Sequence, residues 1–270
     1  NPGDQVITHK YSHVYNYEGG GASFNSGVSF KLLEGEKGFF DSNQIIQAIN
    51  PKNFYHSPMT KLVSLENTTN KGGGYCWDIS EFEKIQKVCK ENDLGLHMDG
   101  ARIWNSIIAM NNDPKIYGNF FDTISVCLSK GLGCPIGSVL VGKGKVMEKA
   151  IRVRKILGGG MRQVGYLAAA GLYALQNNIN RLSDDHRRAK EIAKKFSSKD
   201  IVNKINSVET NIIIIELNKS VNKQQIINHF TNHNVIFDWY SMGVQKIRIV
   251  THLDYTEKDH RALMEIVDKL

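Results

Sequence analysis

The sequence predicts an α/β protein: a mostly parallel sheet with helices, followed by a small C-terminal α+β domain. Two observations carry the prediction. Up to about residue 183, short runs of strand-forming residues alternate with longer stretches whose apolar residues recur at helical spacing. Beyond that point, helices and β-rich segments follow one another closely, as in a small domain with its own sheet. The expected division is therefore residues 1–183 and residues 184–270.

Taken in order, residues 3–7 read as a turn and a strand, and residues 61–66 (KLVSLE) as a short buried strand. Residues 78–92 place Ile79, Phe82, Ile85 and Val88 on one helical face, with Asp78 as N-cap. Residues 95–99 (GLHMD), 123–128 (TISVCL) and 135–141 (PIGSVLV) read as further strands. Helical patterns at 145–157 and 163–176 are separated by the triplet Gly158–Gly160. In the second part, a basic helix at 186–196 leads into β-rich segments at 202–208 and 211–217. A helix at 223–233, strands at 235–239 and 246–250, and a helix from Glu257 complete the reading.

Composition narrows the function. With 41% hydrophobic and 23% charged residues, 270 residues can bury a sizeable core. No apolar run approaches the ~20 residues of a membrane-spanning helix. The opening Asn1-Pro2-Gly3-Asp4 lacks the charged-then-apolar pattern of a signal peptide, so a cytoplasmic setting is expected. The formal charge is +7, but the basic residues are interleaved with acids across 143–154 and 186–195. No recognition helix or aromatic-and-basic motif accompanies them, and no nucleic-acid partner is expected. Cys76, Cys89, Cys127 and Cys134 match neither a zinc ribbon nor a Cys-x-x-Cys pair, and read as free thiols.

The chemistry-bearing residues lie at the predicted strand ends. Lys130, in Ser129-Lys130-Gly131-Leu132-Gly133, follows the strand at 123–128, where open α/β sheets bind ligands. A lysine there can form a Schiff base with an aldehyde cofactor, or simply be a solvated end-of-strand residue. Asp99, in His97-Met98-Asp99-Gly100-Ala101-Arg102, also ends a strand. It can pair with a pyridinium nitrogen, with Arg102 free for a carboxylate or phosphate, or it can cap a helix beside a surface arginine.

Order and spacing favour the first reading in both cases. An Asp-Gly-Ala-Arg turn, one more strand and then Ser-Lys-Gly resembles the layout of pyridoxal-phosphate (PLP) enzymes of the aspartate-aminotransferase fold type. The chain is similar to the threonine aldolases at four further places: residues 12–21 (SHVYNYEGGG), 64–70 (SLENTTN), 157–163 (LGGGMRQ) and 248–252 (RIVTH). The resemblance covers essentially the whole chain.

It implies fold type I and PLP-dependent retro-aldol cleavage of L-threonine or L-allo-threonine to glycine and acetaldehyde. Lys130 is then the cofactor lysine, Asp99 the partner of the pyridine nitrogen, and His13 the residue stacked on the ring and involved with the substrate hydroxyl. Arg102 and Arg248 take the substrate carboxylate, Tyr17 lines the substrate pocket, and Arg162 lies near the cofactor phosphate or orders the glycine turn. A β-hydroxy amino acid is the implied substrate, and a homodimer or homotetramer with its site at the subunit interface the implied assembly. Two alternatives remain open: another PLP lyase that performs β-elimination, and a truncated, non-catalytic remnant.

The chain departs from the family pattern twice. Thr69 stands where threonine aldolases often carry a histidine that contacts the substrate hydroxyl. The phosphate-binding loop of this fold type lies well upstream of the His13 motif, only a dozen residues into this chain, so an N-terminal part is expected to be missing.

Overall fold

A computed structural model describes residues 1–270. The first sheet has the strand order β2-β1-β3-β4-β5-β6. These strands are β1 (Gln5–His9), β2 (Ser29–Leu33), β3 (Thr60–Glu66), β4 (Gly95–Gly100), β5 (Thr123–Cys127) and β6 (Ser138–Gly142). All neighbours run parallel except β5 and β6. Between them lie α1 (His13–Asn16), α2 (Gly21–Ser26), α3 (Ser42–Ala48), α4 (Ile79–Glu91), α5 (Ile103–Met110) and α6 (Pro114–Phe120). After β6 come α7 (Gly144–Ile156), α8 (Gly165–Asn177) and α9 (Leu182–Ser197).

Residue pattern explains these elements. Asp78 caps α4 by accepting from the Ser80 amide, and Phe82, Ile85, Val88 and Cys89 form its buried face. The helix stops at Asn92, followed by Asp93 in the left-handed region (φ 58°). Its buried face meets Ile7, Val63, Leu65, Leu96 and Met98 of the central strands. Each such fully buried side chain stabilises the fold by about 1.5–3 kcal/mol before conformational entropy is counted. In β4, Leu96 and Met98 turn into this core while His97 and Asp99 are half-buried. The period-two alternation of a strand thereby delivers Asp99 to the sheet's C-terminal end.

The second sheet is antiparallel, in the order β7-β8-β9: β7 (Val202–Ile205), β8 (Ile212–Leu217) and β9 (Lys246–Val250). Helices α10 (Lys223–Thr231) and α11 (Glu257–Asp268) cover it together with the C-terminal half of α9. Its core joins Ile192 and Phe196 of α9 to Ile213, Ile215, Phe230, Ile247 and Val267. Helix α9 serves both lobes. Leu182 packs with Leu132, Cys134 and Ala174, whereas Ala189, Ile192 and Phe196 lie in the second core.

Two expectations change. Residues 235–239 form no strand; they touch β9 through a single bridge between Asp238 and Arg248. Asn234 is left-handed (φ 59°), and the Asp238 carboxylate turns back to accept from the Ser241 amide at 3.1 Å, which ends any extended run. The strand expected at 135–141 begins only at Ser138: Pro135 has no N–H to donate, and Gly137 has φ 115°. All five residues of β6 are exposed, as is most of α7 and α8. No helix is long and apolar enough to cross a membrane.

Candidate active site

Three adjacent parallel strands end side by side. Glu66 at the end of β3 is in register with Asp99 of β4, and Asp99 with Ser125 of β5. Lys130 follows three residues beyond the end of β5. The site is thus built on the C-terminal edge of the sheet. Gly100 is required there, because a Cβ would lie 2.7 Å from the Ser125 carbonyl oxygen.

Asp99 is half-buried, and its Oδ1 accepts from the Ala101 amide at 3.1 Å. No lysine or arginine pairs with it within the chain, so its second oxygen is free for a cationic partner. Lys130 is also half-buried, and its ammonium pairs with no carboxylate. Its loop is held by backbone carbonyls: Gly131 O accepts from Arg181 Nη1 at 3.2 Å, and Leu132 O from Asn178 Nδ2 at 2.7 Å. Arg181 is fixed in turn by a bidentate pair with Asp185, at 3.2 and 2.5 Å. Asp185 has no exposed surface, and burial pushes its carboxyl above the ordinary range despite the arginine.

Arg102 and Arg248 come from different lobes and meet at one acceptor. The Asn70 amide oxygen accepts from Arg102 Nη1 at 3.4 Å, a long contact, and from Arg248 Nη2 at 2.6 Å. Burial, followed by the repulsion of Arg248, brings the Arg102 guanidinium down to about 10; burial lowers Arg248 as well. Arg102 has no carboxylate partner, and Arg248 has only Asp238 at 3.8 Å. Two poorly neutralised guanidiniums that meet at Asn70, one of them lining the cleft of Lys130, can form a site for a carboxylate. Arg102 and Lys130 line one cleft, together with Ser129, Asn211 and His252.

His13 opens α1. Its amide donates to Glu66 Oε2 at 2.6 Å, and its Nδ1 lies 2.6 Å from Glu18 Oε1. Glu66 Oε1 accepts from the Asn70 amide at 2.6 Å, so one buried carboxylate ties the His13 turn to the loop that carries Asn70. Burial pushes Glu66 up, opposed by those two N–H donors. Tyr17 lies against His13, with ring centroids 5.0 Å apart, and Lys71 Nζ stands 5.0 Å from the Tyr17 ring. Thr69 is buried, and its hydroxyl is unpartnered, as are Ser12 Oγ, Asn67 Oδ1 and Thr68 Oγ1. His97 packs within the sheet, 2.8 Å from Thr123 Oγ1.

Lys130, Asp99, His13, Tyr17, Arg102 and Arg248 are therefore gathered around the strand ends. Arg162 is not. It sits in the exposed turn after α7 and makes no hydrogen bond or ion pair within the chain. Glu18 and Asn70 join the site from within the family-like segments 12–21 and 64–70, where no role was expected of them, and Arg181 and Asp185 join it from outside any motif.

A family model described as beta-eliminating lyase matches residues 1–220. The chain belongs to the beta-eliminating lyase family. Among its relatives, the low-specificity L-threonine aldolase 1 of Arabidopsis thaliana is 38% identical over 262 residues, covering 95% of this chain and 73% of the relative. The low specificity L-threonine aldolase of Escherichia coli K12 is 34% identical over 259 residues, covering 95% and 74% respectively. The solved threonine aldolase of Leishmania major superposes with a TM-score of 0.82 at 20% identity, over 100% of this chain and 78% of that one. The fold is that of the fold-type I PLP enzymes.

The residues of this chain fit PLP. A lysine without a counter-ion faces the cleft, an aspartate one strand away keeps an oxygen free, and four buried polar atoms near the end of β3 lack partners. PLP is the cofactor.

Proposed function

We propose that this chain cleaves L-threonine and L-allo-threonine to glycine and acetaldehyde, with PLP as cofactor. The observation that carries the reading is the convergence of Arg102 and Arg248, one from each lobe, beside the cleft that holds Lys130. It is supported by relatives that bear the threonine-aldolase name over nearly the whole chain.

In this reading Lys130 would hold the cofactor through its aldehyde and Asp99 would pair with its ring nitrogen. When bound, PLP supplies an electron sink for the pair released as Cα–Cβ breaks. The chain's own residues do the rest. Arg102 and Arg248 hold the substrate carboxylate at two points, which fixes the bond to be broken relative to the ring. His13 has Nδ1 committed to Glu18, leaving Nε2 to take the proton from the β-hydroxyl. Glu18 steadies the imidazole, and Glu66 positions its backbone. Arg181 and Asn178 keep the loop of Lys130 in place. Tyr17 borders the substrate side of His13. Arg162 keeps both expected roles, near the cofactor phosphate or ordering the glycine turn, and no contact within the chain favours either. The reading retains the two-lobe division near residue 183, a cytoplasmic setting in keeping with four free thiols, and a homodimer or homotetramer.

The test is an absorbance spectrum with added PLP, before and after L-threonine, with products assayed. A near-visible cofactor band that is lost in Lys130→Ala, together with equimolar glycine and acetaldehyde, is expected. Keto acid and ammonia in their place would overturn the aldolase reading.

A further inference from the structure

The two arginines are like charges, yet they are drawn to one point. No carboxylate stands between them. The acceptor they share is the neutral amide oxygen of Asn70, which lies four residues past the end of β3. The Asn70 backbone is not free to wander, because its N–H is held by buried Glu66 at 2.6 Å and its carbonyl accepts from Gly73 at 3.3 Å. The same loop is stitched to the C-terminal lobe. Gly73 O accepts from Asn206, Gly74 O accepts from Thr210, and the Cys76 amide donates to Glu209.

We propose that Asn70 is the positioning residue of the carboxylate site: its amide oxygen holds Arg102 and Arg248 within reach of one carboxylate before the substrate arrives. This rests on the aldolase reading above. The choice of a neutral acceptor matters. An amide oxygen satisfies one N–H on each guanidinium without cancelling either charge, so both remain available to a monoanion. A carboxylate at the same position would satisfy the arginines permanently and compete with the substrate. Removing the acceptor would leave two buried guanidiniums that repel, and the pair would spread.

The opposite effects of two substitutions test this. In the cofactor-free chain, Asn70→Asp is expected to melt above the parent and Asn70→Ala below it. An Asn70→Asp chain that melts at or below the Ala variant would overturn the proposal. In the PLP-loaded enzyme, glycine and glycinamide are titrated through the change in cofactor absorbance. Both variants are expected to weaken glycine by about tenfold or more, the worth of one charge-assisted hydrogen bond, with glycinamide little changed. L-Threonine should show the same loss in KM with kcat largely kept. Equal losses for glycine and glycinamide would overturn the positioning role, since general damage to the site does not distinguish them. If the parent takes up no PLP, the aldolase reading falls, and the melting comparison still decides Asn70.

Discussion

Replacing Asp185 by asparagine breaks an ion pair that supports the lysine loop from below. Asp185 is wholly buried, the Arg181 side chain is 18% exposed, and their two contacts measure 3.2 and 2.5 Å. Removing one member of such a buried pair costs about 3–5 kcal/mol, because the remaining charge stays desolvated. Arg181 keeps some water contact and its bond to Gly131 O, so the lower end, roughly 3 kcal/mol, is expected. For a chain of this size that lowers Tm by roughly 6–12 °C. The pair is not strongly favourable in itself, since burial outweighs Arg181 in setting the Asp185 carboxyl. The double variant Arg181→Met/Asp185→Leu should therefore recover most of the loss. Calorimetric melts of the cofactor-free parent, single and double variants give the answer. A loss under about 1 kcal/mol for Asp185→Asn, or a double variant worse than the single, would refute the reasoning.

Two other predictions concern titration. Burial, helped by Lys190, depresses His186 to about 4, and its Nε2 lies 3.1 Å from Asn105 Nδ2. The unfolded chain then binds the extra proton first, so stability is intact above pH ~6.5 and falls as the pH drops towards about 4, by roughly 3 kcal/mol. Urea midpoints measured across that window should flatten in His186→Gln, and an unchanged slope would count against the assignment. Burial pushes the Cys76 and Cys89 thiols up to about 12 and raises Cys134, while Cys127 is only half-buried. A disulfide reagent read by mass spectrometry should modify Cys127 first in the folded chain. Labelling of Cys89 at a matching rate would show the core to be open.

Most of the large lobe's frame was legible because its strands carry their signal locally. Apolar runs at 61–66 and 95–99 and the helical spacing from Ile79 to Val88 each need only their own neighbours. The positions of Lys130 and Asp99 at strand ends were legible for the same reason, but each alone left a bland alternative, and their expected roles came from the resemblance. The resemblance to threonine aldolases pointed to the family to which the chain belongs. What sequence alone does not carry is long-range partnership. Asn70 reads as a loop asparagine until Arg248, 178 residues away, lands on its oxygen. Arg181 and Asp185 lie just before the basic run at 186–196 and carry no signal of their own; their part shows only when Gly131 O is found accepting from Arg181. The failed strand at 235–239 is the converse case, where favourable residues were overruled by a left-handed Asn234 and a turn at Asp238.

Helix α9 has a mechanical consequence. Its 16 residues make a rod about 24 Å long. Asp185, in its first turn, holds the arginine that braces the Lys130 loop, while Phe196 at the far end is buried in the C-terminal core. The rod cannot flex at its middle without breaking the ladder that stiffens it. Helix α9 thereby ties the seat of Lys130 to the C-terminal core, and the loop from Thr69 to Cys76 ties Asn70 to the same lobe. The loop of Lys130 and the acceptor shared by the two arginines are thus both anchored to the C-terminal lobe, and a displacement of that lobe would be felt at both.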